Sequence, residues 1–329
     1  MGLFSCKKDE TRVVMSTSPV APTLTTVPNL TLSRANGADM VKFAGTPVDP
    51  GFTASATYFL EASLHGAGFA DSVVIWSGTQ DTAINMATSD LNAQLLKKFP
   101  ADSTVSADFR IRALLIVDAG TGAPGTSSNP FVYKSAIKTS DIRPYGFPRL
   151  DLIGSGIVQK IESPLANGIY SGFVKLDNTM PFTLKDHESG TVYGKASGTA
   201  LQVDGPALSV TASGWYKLTA TPDELTYSLQ PFMIGLVGSA TPNGWNAPDQ
   251  KMDYNASTGT WDITITLVDG DFKFRLNDDW GWNLGGTTDN LTHNGANCSI
   301  TAGNYSISLT ITVEGPNGSE AGKYTIKKN

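Results

Sequence analysis

The chain predicts an all-β fold of three consecutive sandwiches, and three observations carry that expectation. Glycine (33) and proline (18) are abundant among 329 residues, a balance that favours turns over helices. Short segments rich in β-branched and aromatic residues recur with turn signals between them. The second half of the chain repeats itself with a period of roughly 85–90 residues, too long for a solenoid unit and suited to two small domains in tandem.

Residues 1–18 read as an anchor and tether. Leu3-Phe4-Ser5-Cys6 has the form of a lipobox, with an apolar residue three before the cysteine and a small residue just before it. Cleavage there leaves Cys6 as the acylated residue of an extracytoplasmic lipoprotein. Only five residues precede Cys6, fewer than the basic and apolar regions of a complete signal, so a truncated signal is expected. Lys7-Lys8-Asp9-Glu10 is a solvated charge run, and the Ser, Thr and Pro residues from Thr11 to Pro28 suit a spacer.

The first folded unit is expected over residues 19–146. Ala38–Phe43, Thr57–Ala62 and Phe109–Leu114 read as strands. Asp90–Leu96 is a short helix candidate, with Asp90 as its cap and Leu91 and Leu95 spaced i, i+4. Strands separated by regular turn signals predict an immunoglobulin-like sandwich. Pro144-Tyr145-Gly146-Phe147-Pro148 marks its end.

The repeat then sets residues 147–230 against residues 231–329. Leu152-Ile153-Gly154-Ser155 matches Leu236-Val237-Gly238-Ser239, and Gly168-Ile169-Tyr170 matches Gly259-Thr260-Trp261. Pro181–Asp186 matches Asp271–Leu276, and Leu208–Tyr216 matches Cys298–Tyr305. Each copy is a string of short alternating segments, so each is expected to be a β-sandwich. In Trp261-Asp262-Ile263-Thr264-Ile265-Thr266-Leu267 the period of two puts Trp261 on the apolar face, hence in the core.

Several function classes are excluded or find little support. Lys and Arg number 24 against 30 Asp and Glu, a net charge of −6, without the basic stripe that nucleic acid demands. Cys6 and Cys298 stand far apart, and neither a zinc-ribbon spacing nor a disulfide framework is present. His65, His187 and His293 are scattered, and the usual nucleophile-elbow, zinc-protease and phosphate-loop motifs are missing from the sequence. Asp278, Asp279 and Asp289 are carboxylates a glycosidase could pair, but domains of about 90 residues rarely hold the deep cleft required. Asp278-Asp279 matches no calcium loop. Neither a cofactor nor a metal is implied.

The last repeat concentrates the chemistry. Pro242-Asn243-Gly244-Trp245-Asn246 places an indole in a loop with no periodic face to bury against. Asn277-Asp278-Asp279-Trp280-Gly281-Trp282-Asn283 sets two more among amides and carboxylates. Pyranose C–H faces stack on aromatic rings, and sugar hydroxyls want planar polar partners. If the segment is extended, Trp280 and Trp282 point to the same side, one able to plug the sandwich while the other meets ligand. Lys273 and Arg275 alternate with Phe272 and Phe274, so both cationic heads share one face of that strand.

Phe272–Gly285, the preceding Gly238–Trp245 and the repeat together resemble the SusE/SusF family of starch-utilisation outer-membrane lipoproteins. The N-terminal unit and Cys6 are similar to that family's immunoglobulin-like spacer and anchor. The resemblance implies a non-catalytic surface glycan-binding protein with two tandem domains resembling carbohydrate-binding modules. It implies an α-glucan ligand, and a SusC/SusD-like importer complex as partner. Carried onto this sequence, Trp245 and one of Trp280 or Trp282 form the aromatic arc. Arg275, Lys273, Asn277, Asp279 and Asn283 are then the hydrogen-bonding candidates. The middle repeat departs from the pattern: Lys185–Gly194 stands where the tryptophan-rich stretch belongs, leaving a spacer or a site with Tyr193 alone. The rival reading is a structural, adhesin-like spacer whose loops meet a protein.

Overall fold

The computed structural model describes residues 14–79, 83–117, 123–315 and 318–329. Cys6 and the charge run after it lie outside the described residues. The architecture is all-β, with one short α-helix among the described residues. It divides into two compact units, with the division in the chain between Gly146 and Phe147.

The first unit packs two sheets around one core. A three-stranded sheet runs in the order Thr23–Thr26, Met40–Thr46, Ile84–Ala87. The larger sheet pairs Leu30–Thr31, Lys138–Arg143, Val105–Leu115, Ala56–Leu64 and Val73–Gly78 in that order, with Phe131–Lys134 also on Val105–Leu115. Alternation drives this: Tyr58, Leu60, Phe109, Ile111 and Ala113 all turn inward and are buried. The helix spans Thr88–Leu95 and closes one end with Leu91 and Leu95, both fully buried as their i, i+4 spacing requires. Its cap differs from the sequence expectation. Ala87 occupies the N-cap position, and Asp90 sits in the first turn, where its charge meets the positive helix end.

In the second unit the sequence repeat reappears as matching strand registers. An eight-stranded sheet holds Arg149–Ile153, Gln159–Glu162, Tyr170–Leu176, Thr183–Asp186 and Gly214–Thr221, and its two ends bridge at Ala200 and Thr226. A larger sheet is built around Ile234–Val237, Gly270–Leu276, Asp279–Thr287, Thr260–Leu267 and Gly303–Val313. Leu152 stands opposite Leu184 as Leu236 stands opposite Phe274. Val174 pairs with Tyr216 as Ile265 pairs with Tyr305. The Tyr216 hydroxyl donates to the Ala212 carbonyl (2.6 Å), and the Tyr305 hydroxyl to that of Thr301 (2.9 Å), four residues back in each case. Gly154 and Gly238 open equivalent loops at positive φ. A Cβ on either would fall within 2.7 Å or 2.2 Å of a backbone carbonyl, so both turns require glycine.

The two halves of this unit share an aromatic seam. Phe173 and Trp215, from the outer face of the first sheet, pack against the core of the second, meeting Trp261 at 5.3 and 5.6 Å between ring centroids. The Trp215 indole N–H donates to Asp253 (2.9 Å), and Lys175 and Lys217 pair with Asp253 and Glu314. Trp261 is buried in the core, where its alternating strand placed it.

Candidate functional site

The site forms where two loops of the last repeat meet. The loop after Ile234–Val237 is folded on itself: Gly238 N–H donates to the Gly244 carbonyl (2.9 Å), and the Thr241 hydroxyl caps the same turn. The Asn243 amide donates to the Pro248 carbonyl (2.7 Å), which holds Trp245 at the crest. The second loop is a two-residue turn with Asn277 and Asp278 both at positive φ, the backbone of a tight hairpin. The register then slips: Leu276 faces Asp279, but Arg275 faces Asn283, so Trp280, Gly281 and Trp282 form a bulge. The Asp279 carboxylate accepts the Gly281 N–H (2.7 Å) and shapes that bulge.

Two indoles emerge side by side. Trp245 is 37% and Trp280 44% exposed, with ring centroids 6.0 Å apart and planes tilted by 39°. Exposed large aromatics in contact on a surface are unusual, because burial is their favourable state. Trp282 turns the other way. It is 9% exposed and donates its indole N–H to the Glu314 carbonyl (2.8 Å). Of the two alternatives the sequence left open, Trp280 is therefore the surface ring and Trp282 the plug.

Beneath Trp280 lies a polar support. The Arg275 guanidinium sits 4.4 Å from the ring centroid and forms a two-pronged pair with Asp249, the arginine being only 2% exposed. Asn283 is buried as well. It donates to the Trp280 carbonyl (3.0 Å) and to Asn294 (2.8 Å), and accepts from the Lys273 ammonium (2.9 Å). Burial lowers the Lys273 pKa, since the charged form loses solvent. Asn277 is spent on the backbone, accepting from Met233 N–H (2.8 Å) and donating to the Pro231 carbonyl (2.9 Å).

Among the candidate hydrogen-bonding residues, Arg275, Asn277 and Asn283 have hydrogen-bond partners inside the fold. Lys273 is half-buried and turned toward Asn283. Asp279 remains exposed at the surface beside the bulge. The structure thus joins Trp245, Trp280 and Asp279 at the surface, with Arg275, Asn283 and Lys273 under them. Sequence reasoning missed Asp249, whose pairing with Arg275 crosses 26 residues. It also missed Lys251, which pairs with Asp278 while Asp278 accepts the Asp249 N–H (2.8 Å).

In the middle repeat His187 meets Asp151 (3.0 Å) and the Arg149 guanidinium (3.0 Å). Tyr193 packs against the core of its own sheet and does not form an exposed platform.

Residues 8–112 match the family model described as SusE outer membrane protein, and over that stretch the chain is SusE-like. Neither a curated protein nor a solved structure matches the chain. The matched residues end well before Trp245, so the family match and the aromatic platform are separate observations. No helix among the described residues is long and apolar enough to cross a membrane.

Proposed function

We propose that this is a non-catalytic, lipid-anchored protein of the outer-membrane surface that captures polysaccharide on the Trp245–Trp280 platform. The observation that carries the reading is the pair of exposed indoles, tilted by 39° and fixed from below by the Arg275–Asp249 pair. Stacked sugar rings bury their C–H faces on the indoles, and Asp279 offers a carboxylate to hydroxyls at the edge. The tilt favours a curved chain. In α-1,4-glucan successive rings turn and the chain curls, whereas a β-1,4 ribbon is flat and suits coplanar rings. The ligand proposed is therefore starch or a related α-glucan. Cys6 anchors the chain, the residues that follow it act as tether up to Met15, which packs on the first core, and the first unit serves as a spacer. Held there, bound glycan stays at high effective concentration for hydrolases and a SusC/SusD-like importer.

Affinity electrophoresis in gels containing amylopectin, xylan or β-glucan tests this. Retardation by amylopectin is expected. Trp245→Ala and Trp280→Ala should each weaken binding by about 2 kcal/mol, roughly 30-fold, and together remove most of the retardation. Free migration of the wild-type protein in every gel would instead favour a spacer whose indoles meet a protein.

A further inference from the structure

The middle repeat has a face equivalent to the one under the platform. Asp151 lies between Lys185 and Lys160 as Gly235 lies between Arg275 and Lys251. The loop equivalent to the one bearing Trp245 is short there and carries Ile157 and Val158, both exposed. No indole crowns it. A cleft of about 440 Å³ opens beside this loop, within the ~300–1,000 Å³ range of small-molecule sites. Its lining combines Asp151 and Lys160 of that face with Phe173 and Trp215 of the adjoining strands and Tyr254 of the last repeat.

Both halves of the unit are needed to build it. Phe173 and Tyr254 meet edge to face at 4.9 Å, and Trp215 and Tyr254 at 5.9 Å. Trp215 is fixed by its bond to Asp253, so the aromatic wall is preorganised. The rim retains hydrogen-bonding capacity. The Lys160 ammonium gives one donor to Glu162 and has two more. The Asp151 carboxylate takes Arg149 on one oxygen and His187 on the other, each at 3.0 Å, leaving a lone pair on each. The Tyr254 hydroxyl makes no hydrogen bond to any of the described residues. A purely apolar ligand would bury this rim unpaired, at a cost, whereas a neutral ligand carrying both donors and acceptors matches a rim that sets Asp151 beside Lys160 and Arg149. A pyranose satisfies both parts, with its C–H face on the rings and its hydroxyls on the rim.

We propose that this seam cleft is a second saccharide subsite, composed from both repeats and taking one or two sugar units. The ligand class rests on the glycan reading of the Trp245–Trp280 platform. Two sites on one compact unit would bind a long chain more tightly than either alone.

Calorimetry with maltoheptaose tests it, with xylohexaose and laminarihexaose in parallel. The wild type should show two sites, and Trp245→Ala/Trp280→Ala should leave one weaker site that still perturbs tryptophan fluorescence. Adding Ala256→Trp, which fills the cleft from an exposed turn, should weaken that residual site at least about tenfold. Lys160→Ala/Tyr254→Phe, which removes rim partners and leaves the aromatic packing, should do the same and serves if Ala256→Trp does not fold. Loss of all binding in the platform variant overturns the seam subsite and leaves the platform standing. Residual binding indifferent to both cleft variants overturns it too. A wild type that binds none of the three sugars removes the platform reading together with this one.

Discussion

Asp249→Asn should loosen the platform without touching it. The Asp249–Arg275 pair is almost wholly buried, with side chains 0% and 3% exposed. Neutralising Asp249 leaves a buried guanidinium without its counter-ion, which costs about 3–5 kcal/mol. For a unit of this size that corresponds to a fall in Tm of roughly 10 °C. Arg275→Met should cost a similar amount, since it strands Asp249 and removes the cation under Trp280, worth about 2 kcal/mol when desolvated. The double variant carries no unpaired charge and should lose far less than the sum, so a double-mutant cycle in urea should show a coupling of at least about 2 kcal/mol. Two indoles 6.0 Å apart couple optically, and their near-ultraviolet circular dichroism reports their mutual tilt. Both single variants should reduce that signal and weaken glycan binding under conditions where the protein is still folded. Additive losses in the cycle would refute the pairing. An altered indole signal with unchanged glycan affinity would refute the claim that tilt matters.

Two further outcomes follow from the same geometry. Trp282→Phe removes the N–H donated to the Glu314 carbonyl and should cost about 1–3 kcal/mol in urea denaturation, yet leave glycan affinity within twofold, because the ring faces the core. Burial pushes the Asp278 carboxyl up, but the Lys251 ammonium, the Asp249 N–H and Arg275 together outweigh it and hold it below its ordinary value. Its contribution to stability is therefore present above the unfolded carboxylate range, near pH ~4, and is lost as pH falls through the lower folded value; the stability gap between wild type and Asp278→Asn should narrow on acidification from pH 5 to pH 2.

Much of the fold was legible because strands write their burial with a period of two. Trp261, Leu60 and Ile111 all lie where alternation places them. The site was legible only in part, and the failures have physical causes. Trp280 and Trp282 share a side in an extended strand, but the bulge after the turn breaks that parity and sends them to opposite sides. The turn itself carried a signal: an Asn-Asp pair between alternating segments suits two residues at positive φ, and there Asn277 bonds the backbone of Met233 and Pro231. Arg275 carried none, since its burial depends on a loop that returns Asp249 to it from 26 residues away. The helix cap failed for a local reason, the helix starting two residues before Asp90.

The two repeats show how one set of registers yields different surfaces. Phe173 and Trp215 occupy the positions that Thr264 and Asn304 hold in the last repeat, because Val174 is equivalent to Ile265 and Tyr216 to Tyr305. Thr264 and Asn304 are exposed, whereas Phe173 and Trp215 cover the core of the neighbouring half. A face covered by another sheet gains from large apolar side chains, and a solvated face does not. The loop at 154–158 carries no indole. On the middle repeat the aromatic surface lies at the junction, on Phe173 and Trp215, and not at the loop crest. Val158→Trp alone should therefore not create a paired platform: the counterpart of Arg275, which supports Trp280, is Lys185, which lacks the planar guanidinium, and near-ultraviolet circular dichroism of Val158→Trp should show no new coupled-indole signal.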